Sequence, residues 1–162
     1  MQSEITTSRW SGWSPVFMRA ALGTVFVVSG LGKFGVGPKS VGGIGNFGGY
    51  LASLGVPLPE VFAWIVGLVE LFGGLLLLVG LFTRYAAAFI AIDMLAALWL
   101  VHIPNGFPVS EGGIEFAFTL MMVSIAVVLS GPGRLALEYA IFGRELLPRA
   151  RSDDAVETPI RT

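Results

Sequence analysis

Residues 62–82, FAWIVGLVELFGGLLLLVGLF, decide the fold. As a helix the stretch is long enough to cross a bilayer core of ~30 Å, and its one charge is Glu70. At about 100° per residue, Ala63, Gly67, Glu70 and Gly74 fall within one narrow arc. That face is small and acidic, whereas Ile65, Leu68, Leu75, Leu76 and Val79 give the rest of the helix a lipid-like surface. Small residues let a neighbouring helix approach closely, so the glycine face is predicted to point into a helix bundle. Glu70 then lies roughly 12 Å into the span, at a depth where an ionisable group needs a partner and marks a candidate site. The bland alternative is a structural acid that locks two helices together.

Composition agrees. The chain has 162 residues, 54% hydrophobic and 13% charged, about half the charge of a soluble domain. This predicts an integral membrane protein without a separate soluble catalytic domain. The absence of Cys excludes disulfides, thiolate nucleophiles and Cys-ligated centres within this chain. A single histidine, His102, excludes bis-His haem, so no metal or haem site is expected. No basic surface for nucleic acid is visible.

Outward from the central stretch, the polar residues 1–14 read as a short tail, and Pro15 opens a first span at about 16–31. Arg19, Leu22, Phe26, Ser29 and Lys33 share one face of it. In the glycine-rich connection 35–59, Asn46 is placed to cap a short interfacial helix, 47–54, carrying Phe47, Tyr50, Leu51 and Leu54. GGIGNFGG there lacks the strand and GK[ST] of a phosphate loop. Thr83-Arg84 is expected to turn the chain into a third span at about 85–101. On a straight helix His102 aligns with Ala91, Leu95 and Leu98, nearly opposite Asp93, so the two are expected to face different surroundings. Asp93, near mid-span, is assigned a structural role, met by Arg19, another subunit or a proton. A fourth span at about 114–130 begins with Glu115 and ends at Gly131-Pro132-Gly133. Trp64 and Trp99 read as interface-belt residues. Residues 135–147 are predicted as an amphipathic interfacial helix, with Leu135, Tyr139, Phe142 and Leu146 toward lipid, and 148–162 as a disordered tail.

The expected architecture is therefore an all-α, four-transmembrane-helix bundle over 15–134 with both termini on one side. That side carries Arg9, Arg19, Arg84, Arg134, Arg144, Arg149, Arg151 and Arg161, against Lys33 and Lys39 opposite, so the termini are cytoplasmic and the location is the inner membrane. Lys33, Glu70, His102, Asn105, Glu111 and Glu115 then fall in the outer half of the bundle or its rim. A cation, carboxylates, an imidazole and an amide in apolar walls make a polar cavity. Glu111 and Lys39 are assigned to the rim, and Lys33, Glu70, His102 and Glu115 to a site.

The sequence resembles the DoxX family of small four-helix membrane proteins, which includes the DoxD-type subunit of thiosulfate:quinone oxidoreductase. The resemblance covers 19–137 through RxxLG (19–23), SGLGKF (29–34), YLASLGVPLP (50–59), GLVELFGGLLLLVGLFTR (67–84), VHIPNGF (101–107), GGIEFAF (112–118) and GPGRLAL (131–137). It implies a redox-related, quinone-linked membrane protein working with a partner redox subunit, and it places the family's polar core on Lys33, Glu70, His102, Asn105 and Glu115. In that reading Asn105 and His102 bind the quinone carbonyls, Glu70 and Glu115 exchange protons, and Lys33 stabilises negative charge. The alternative is a non-enzymatic scaffold or small-molecule binder supporting a partner enzyme. A transporter is a third reading, disfavoured because no inverted repeat is evident. A homo-oligomer is compatible with all three.

Overall fold

The computed structural model describes residues 12–143, 145 and 146, and among them every regular element is helical. Helix α1 (Ser14–Lys33) starts with Pro15 in its first turn, where the missing N–H has no helical partner to lose. Helix α2 (Ile44–Ser53) is short. Helices α3 (Pro59–Val79) and α4 (Thr83–Ala97) follow, and α4 continues through a π turn, Leu98–His102, and a 3-10 turn, Ile103–Asn105. Helix α5 (Glu115–Ser130) and the six-residue α6 (Leu137–Phe142) complete the order.

Four of these form the bundle: α1 packs on α3, α3 on α4, α4 on α5, and α5 returns to α1, with α2 laid across α3. The face of α3 that is buried is the small and acidic one, Ala63, Gly67, Glu70, Gly74 and Leu77. Its glycines set the spacing to α1. A Cβ on Gly74 would lie 2.7 Å from the backbone N of Val27, and one on Gly30 would lie 2.6 Å from the backbone N of Leu71. Leu22 and Phe26 of α1, Leu77 of α3, Ile90 and Met94 of α4 and Val127 of α5 fill the interior.

Three helical runs, Ser14–Lys33, Pro59–Val79 and Thr83–Asn105, are long and apolar enough to cross a membrane. Helix α5, with 16 residues, is a shorter apolar helix of about 24 Å.

Several local expectations are corrected. The turn expected at Thr83-Arg84 is made by residues 80–82, because Gly80 adopts a left-handed conformation (φ 71°) that ends α3, and Thr83 already belongs to α4. Asn46 does not cap α2, since Gly42 and Gly43, both at positive φ, start that helix at Ile44. The predicted helix 135–147 is reduced to Leu137–Phe142, with Leu135 left-handed before it (φ 57°) and Gly143 ending it (φ 66°). Trp64 and Trp99 are exposed, as expected of belt residues. The expected tail 148–162, most of 1–14, and Arg9, Arg144, Arg149, Arg151 and Arg161 lie outside the described residues.

Candidate functional site

Lys33 ends α1, and its ammonium forms a salt bridge with Glu70, the buried acid of α3. The Lys33 Nζ also stands 4.8 Å from the centroid of the Phe47 ring on α2, a cation–π contact that fixes its other side. The two charges therefore close the α1–α3 seam at the point where α2 covers it.

A cavity of about 260 Å³ opens beside this pair, lined by Lys33, Glu70, Asp93 and His102 and walled by Phe47, Tyr50, Val66, Met94 and Leu100. Its exposed rim includes Tyr50, Ala96 and Leu100, apolar or amphipathic surfaces suited to lipid. Asp93 is the unresolved member: its Oδ2 is buried and has no hydrogen-bond partner among the described residues. The nearest opposing charge belongs to Lys33, already bound to Glu70, so two carboxyls share one cation. In His102, Nδ1 lies 2.6 Å from the carbonyl oxygen of Gly112. A carbonyl only accepts, so Nδ1–H donates, and in the neutral ring Nε2 keeps its lone pair as an acceptor.

That Asp93 and His102 line one cavity overturns the expectation that they face apart. The cause is the π turn at Leu98–His102. Bonding from i to i+5 puts an extra residue into the turn, and His102 swings by about 100° relative to a straight α-helix. Pro104 supplies a physical reason, since it lacks the N–H that would bond the carbonyl of Leu100 in a continued α-helix. Arg19, considered as a partner for Asp93, is committed elsewhere. Its guanidinium donates to the carbonyls of Pro132 (2.6 Å) and Leu135 (3.4 Å).

Asn105 and Glu115 do not line this cavity. The Asn105 amide donates to the carbonyl of Val101 (3.0 Å), and Glu115 Oε2 accepts the backbone N–H of Val109 (3.0 Å). Both shape the loop between α4 and α5. Lys39, assigned to the rim, reaches Ser29 Oγ (3.4 Å) and the face of Phe116. Phe47 and Tyr50 are cavity residues that the sequence placed only on an interfacial helix. Among the described residues, no cluster of His, Cys, Asp and Glu is able to hold a metal ion.

The apolar helices packed into a small bundle define an all-helical membrane protein, and the charged chamber between them is its candidate site. Residues 14–103 match the DoxX family, and the chain belongs to it. The matched region contains Lys33, Glu70, Asp93 and His102, and stops before Asn105 and Glu115. The chain is similar to CatD of Bacillus subtilis, provisionally named an oxidoreductase (30% identity over 78% of this chain and 86% of that one). It is also similar to the uncharacterized membrane protein Rv3486 of Mycobacterium tuberculosis (33% identity, 85% and 87%) and to an uncharacterized protein of Haemophilus influenzae (32% identity, 78% and 89%). No solved structure matches it significantly.

Proposed function

We propose that this chain is the membrane subunit of a quinone-linked oxidoreductase in the plasma membrane, crossing it four times with cytoplasmic termini. The observation that carries the reading is the chamber itself: the Asp93 carboxyl without a partner beside the Lys33–Glu70 pair, with His102 in the same wall. Reducing a quinone to a quinol takes two electrons and two protons. Asp93 hands a proton to one quinone oxygen and the Lys33–Glu70 pair passes the proton it shares to the other, His102 Nε2 accepts from a hydroxyl of the quinol so formed, and the Lys33 ammonium stabilises negative charge on the half-reduced ring. At about 260 Å³ the chamber is near the lower end of small-molecule sites, which suits a single ring and excludes a dinucleotide. The oxidoreductase name of CatD supports the same class. Electrons come from a partner redox subunit or from an external donor; with thiosulfate, joining two anions as tetrathionate releases the two electrons required. Asn105 and Glu115 act by holding the 102–115 loop against His102.

The test is quinol formation by the purified protein, alone and with co-purifying subunits, from candidate donors including thiosulfate. Losing a positioned proton donor costs about 10²–10⁴ in rate, so Asp93→Asn and Glu70→Gln are each expected to lower turnover by about 10² or more. Unchanged turnover in both variants overturns the proposed chemistry. A second reading, a binding module that supports a partner enzyme without turning over, is favoured by the absence of Cys and the single His, which leave few ligands for an electron carrier. Quinone binding without turnover under any donor, together with a stable partner, selects it.

A further inference from the structure

A second depression lies on the same seam of α3 and α4. It holds about 300 Å³ and is lined almost wholly by hydrocarbon, with Phe72 and Gly73 on α3 and Phe82, Tyr85, Ala86 and Phe89 on α4. Gly73 and Ala86 are buried and form its floor, while Phe72 and Phe89, more than half exposed, form its walls.

The groove and the chamber share no lining residue but are neighbours along the same two helices. On α4, Ala86 and Phe89 of the groove are followed at helical spacing by Asp93, Ala97 and Leu100 of the chamber. On α3, Gly73 and Val69 of the groove lead to Glu70 and Val66 of the chamber. From Asp93 to Phe82 the chamber and the groove together extend about 16 Å along the helix. One end is charged and the other is greasy, the profile of an amphiphile with a compact polar head and a hydrocarbon tail.

We infer that the groove binds the isoprenoid tail of a quinone whose ring occupies the chamber, so that this protein selects long-tailed quinones. The inference rests on the quinone reading of the chamber and adds to it the part of the molecule that determines affinity. The charge count decides against a phospholipid. The one lysine lining the chamber is already paired with Glu70, which leaves no free cation there among the described residues to receive the phosphate of a lipid headgroup, whereas a neutral quinone ring needs none. Aromatic walls over a floor without bulk also suit a flat, branched chain laid along the helices.

The test compares menaquinone-4 with menadione, the same ring without a tail, by measuring Kd on purified protein in one detergent. The wild type is expected to bind menaquinone-4 at least about tenfold more tightly, equivalent to about 1.4 kcal/mol. Phe72→Ala/Phe89→Ala is expected to abolish that preference and leave the Kd of menadione unchanged. Both rings point outward, so the truncation spares the core. Tyr85→Ala, at a wall position that is 45% exposed, is a second route to the same loss. Equal affinities in the wild type, or a preference that survives both variants, overturn the tail site and leave the ring site standing. A double variant that changes oligomeric state without changing the preference assigns the groove to a second copy and overturns it as well. Failure of either quinone to bind overturns the quinone reading and the tail site with it.

Discussion

Lys33 and Glu70 are held to one another where neither has enough water to stand alone, with side chains 14% and 5% exposed. Removing one partner from such a pair strands the other charge and costs about 3–5 kcal/mol, whereas replacing both with hydrocarbon is often neutral. Lys33→Met is therefore expected to lower the unfolding temperature in detergent markedly, and Lys33→Met/Glu70→Leu to recover most of the loss. If the double variant is as unstable as the single one, the pair is not coupled as the geometry requires. Asp93→Asn breaks no hydrogen bond at Oδ2, so it is expected to fold normally and to give the cleaner activity test. Glycines sort by the same local logic. A methyl at Gly30 meets the α3 backbone, and Gly30→Ala is expected to cost about 1–3 kcal/mol. Gly45, with nothing within 4 Å of the position its Cβ would occupy, gains helix propensity in Gly45→Ala, by up to about 1 kcal/mol. Chemical denaturation of the two variants side by side checks the contrast.

At the scale of elements, the π turn at the end of α4 decides what the chamber contains. Deleting Trp99, which is 74% exposed, removes the one residue that the π turn adds, so His102 then follows Asp93 by eight residues of unbroken α-helix, about 80° around the axis, and keeps its place in the chamber. The bond from Nδ1 to Gly112 is then kept, and the ring is expected to react with diethyl pyrocarbonate at the wild-type rate, read by mass on the chain's single histidine. A faster rate means that the extra residue is not what sets the ring's position. The other terminal element is a strap: Glu138, buried in α6, accepts the N–H groups of Thr83 (3.4 Å) and Leu146 (2.7 Å), and Arg84 pairs with Glu145 (3.1 Å). Tyr139 donates to Glu145 (2.7 Å), and burial, then that bond and the nearby carboxylates, push its phenol up from 10.0 to about 12. A raised folded-state value stabilises the fold below about pH 10 and ceases to do so as pH climbs through about 12. Thermal stability is expected to fall across that window in the wild type and more shallowly in Tyr139→Phe. The inward face of α3 was legible in the sequence because one acid among small residues at helical spacing has a single way to be buried. His102 was misplaced relative to Asp93 because periodicity assumes an unbroken helix, and one widened turn defeats it. Asn105 and Glu115 misled for another reason, since polar side chains beside a Pro/Gly loop satisfy nearby backbone groups first. Glu138 was missed because the Thr83 N–H that it accepts lies 55 residues away in the chain.

For the whole molecule, the cations separate along the bundle. Arg19 reaches Pro132 and Leu135, Arg84 reaches Val128 and Glu145, and Arg134 stacks on Trp13, all at the end that carries the α3–α4 turn. Lys33 and Lys39 sit at the other end, with the chamber. Short basic segments stay on the cytoplasmic side, and the orientation proposed above, with the chamber nearer the outer face, rests on this asymmetry. The chain has no cysteine, so single introduced thiols report without background. Ser40→Cys, in the exposed connection between α1 and α2, is expected to react with a membrane-impermeant maleimide on intact spheroplasts. Leu135→Cys, 73% exposed at the opposite end, is expected to react only after permeabilisation. The reverse pattern inverts the bundle and moves the proton source with it. In the expected orientation, protons taken up at Asp93 and Glu70 come from outside. Quinone reduction there would alkalinise the external medium of inside-closed vesicles, whereas in inverted vesicles the same reaction would raise the pH of the lumen.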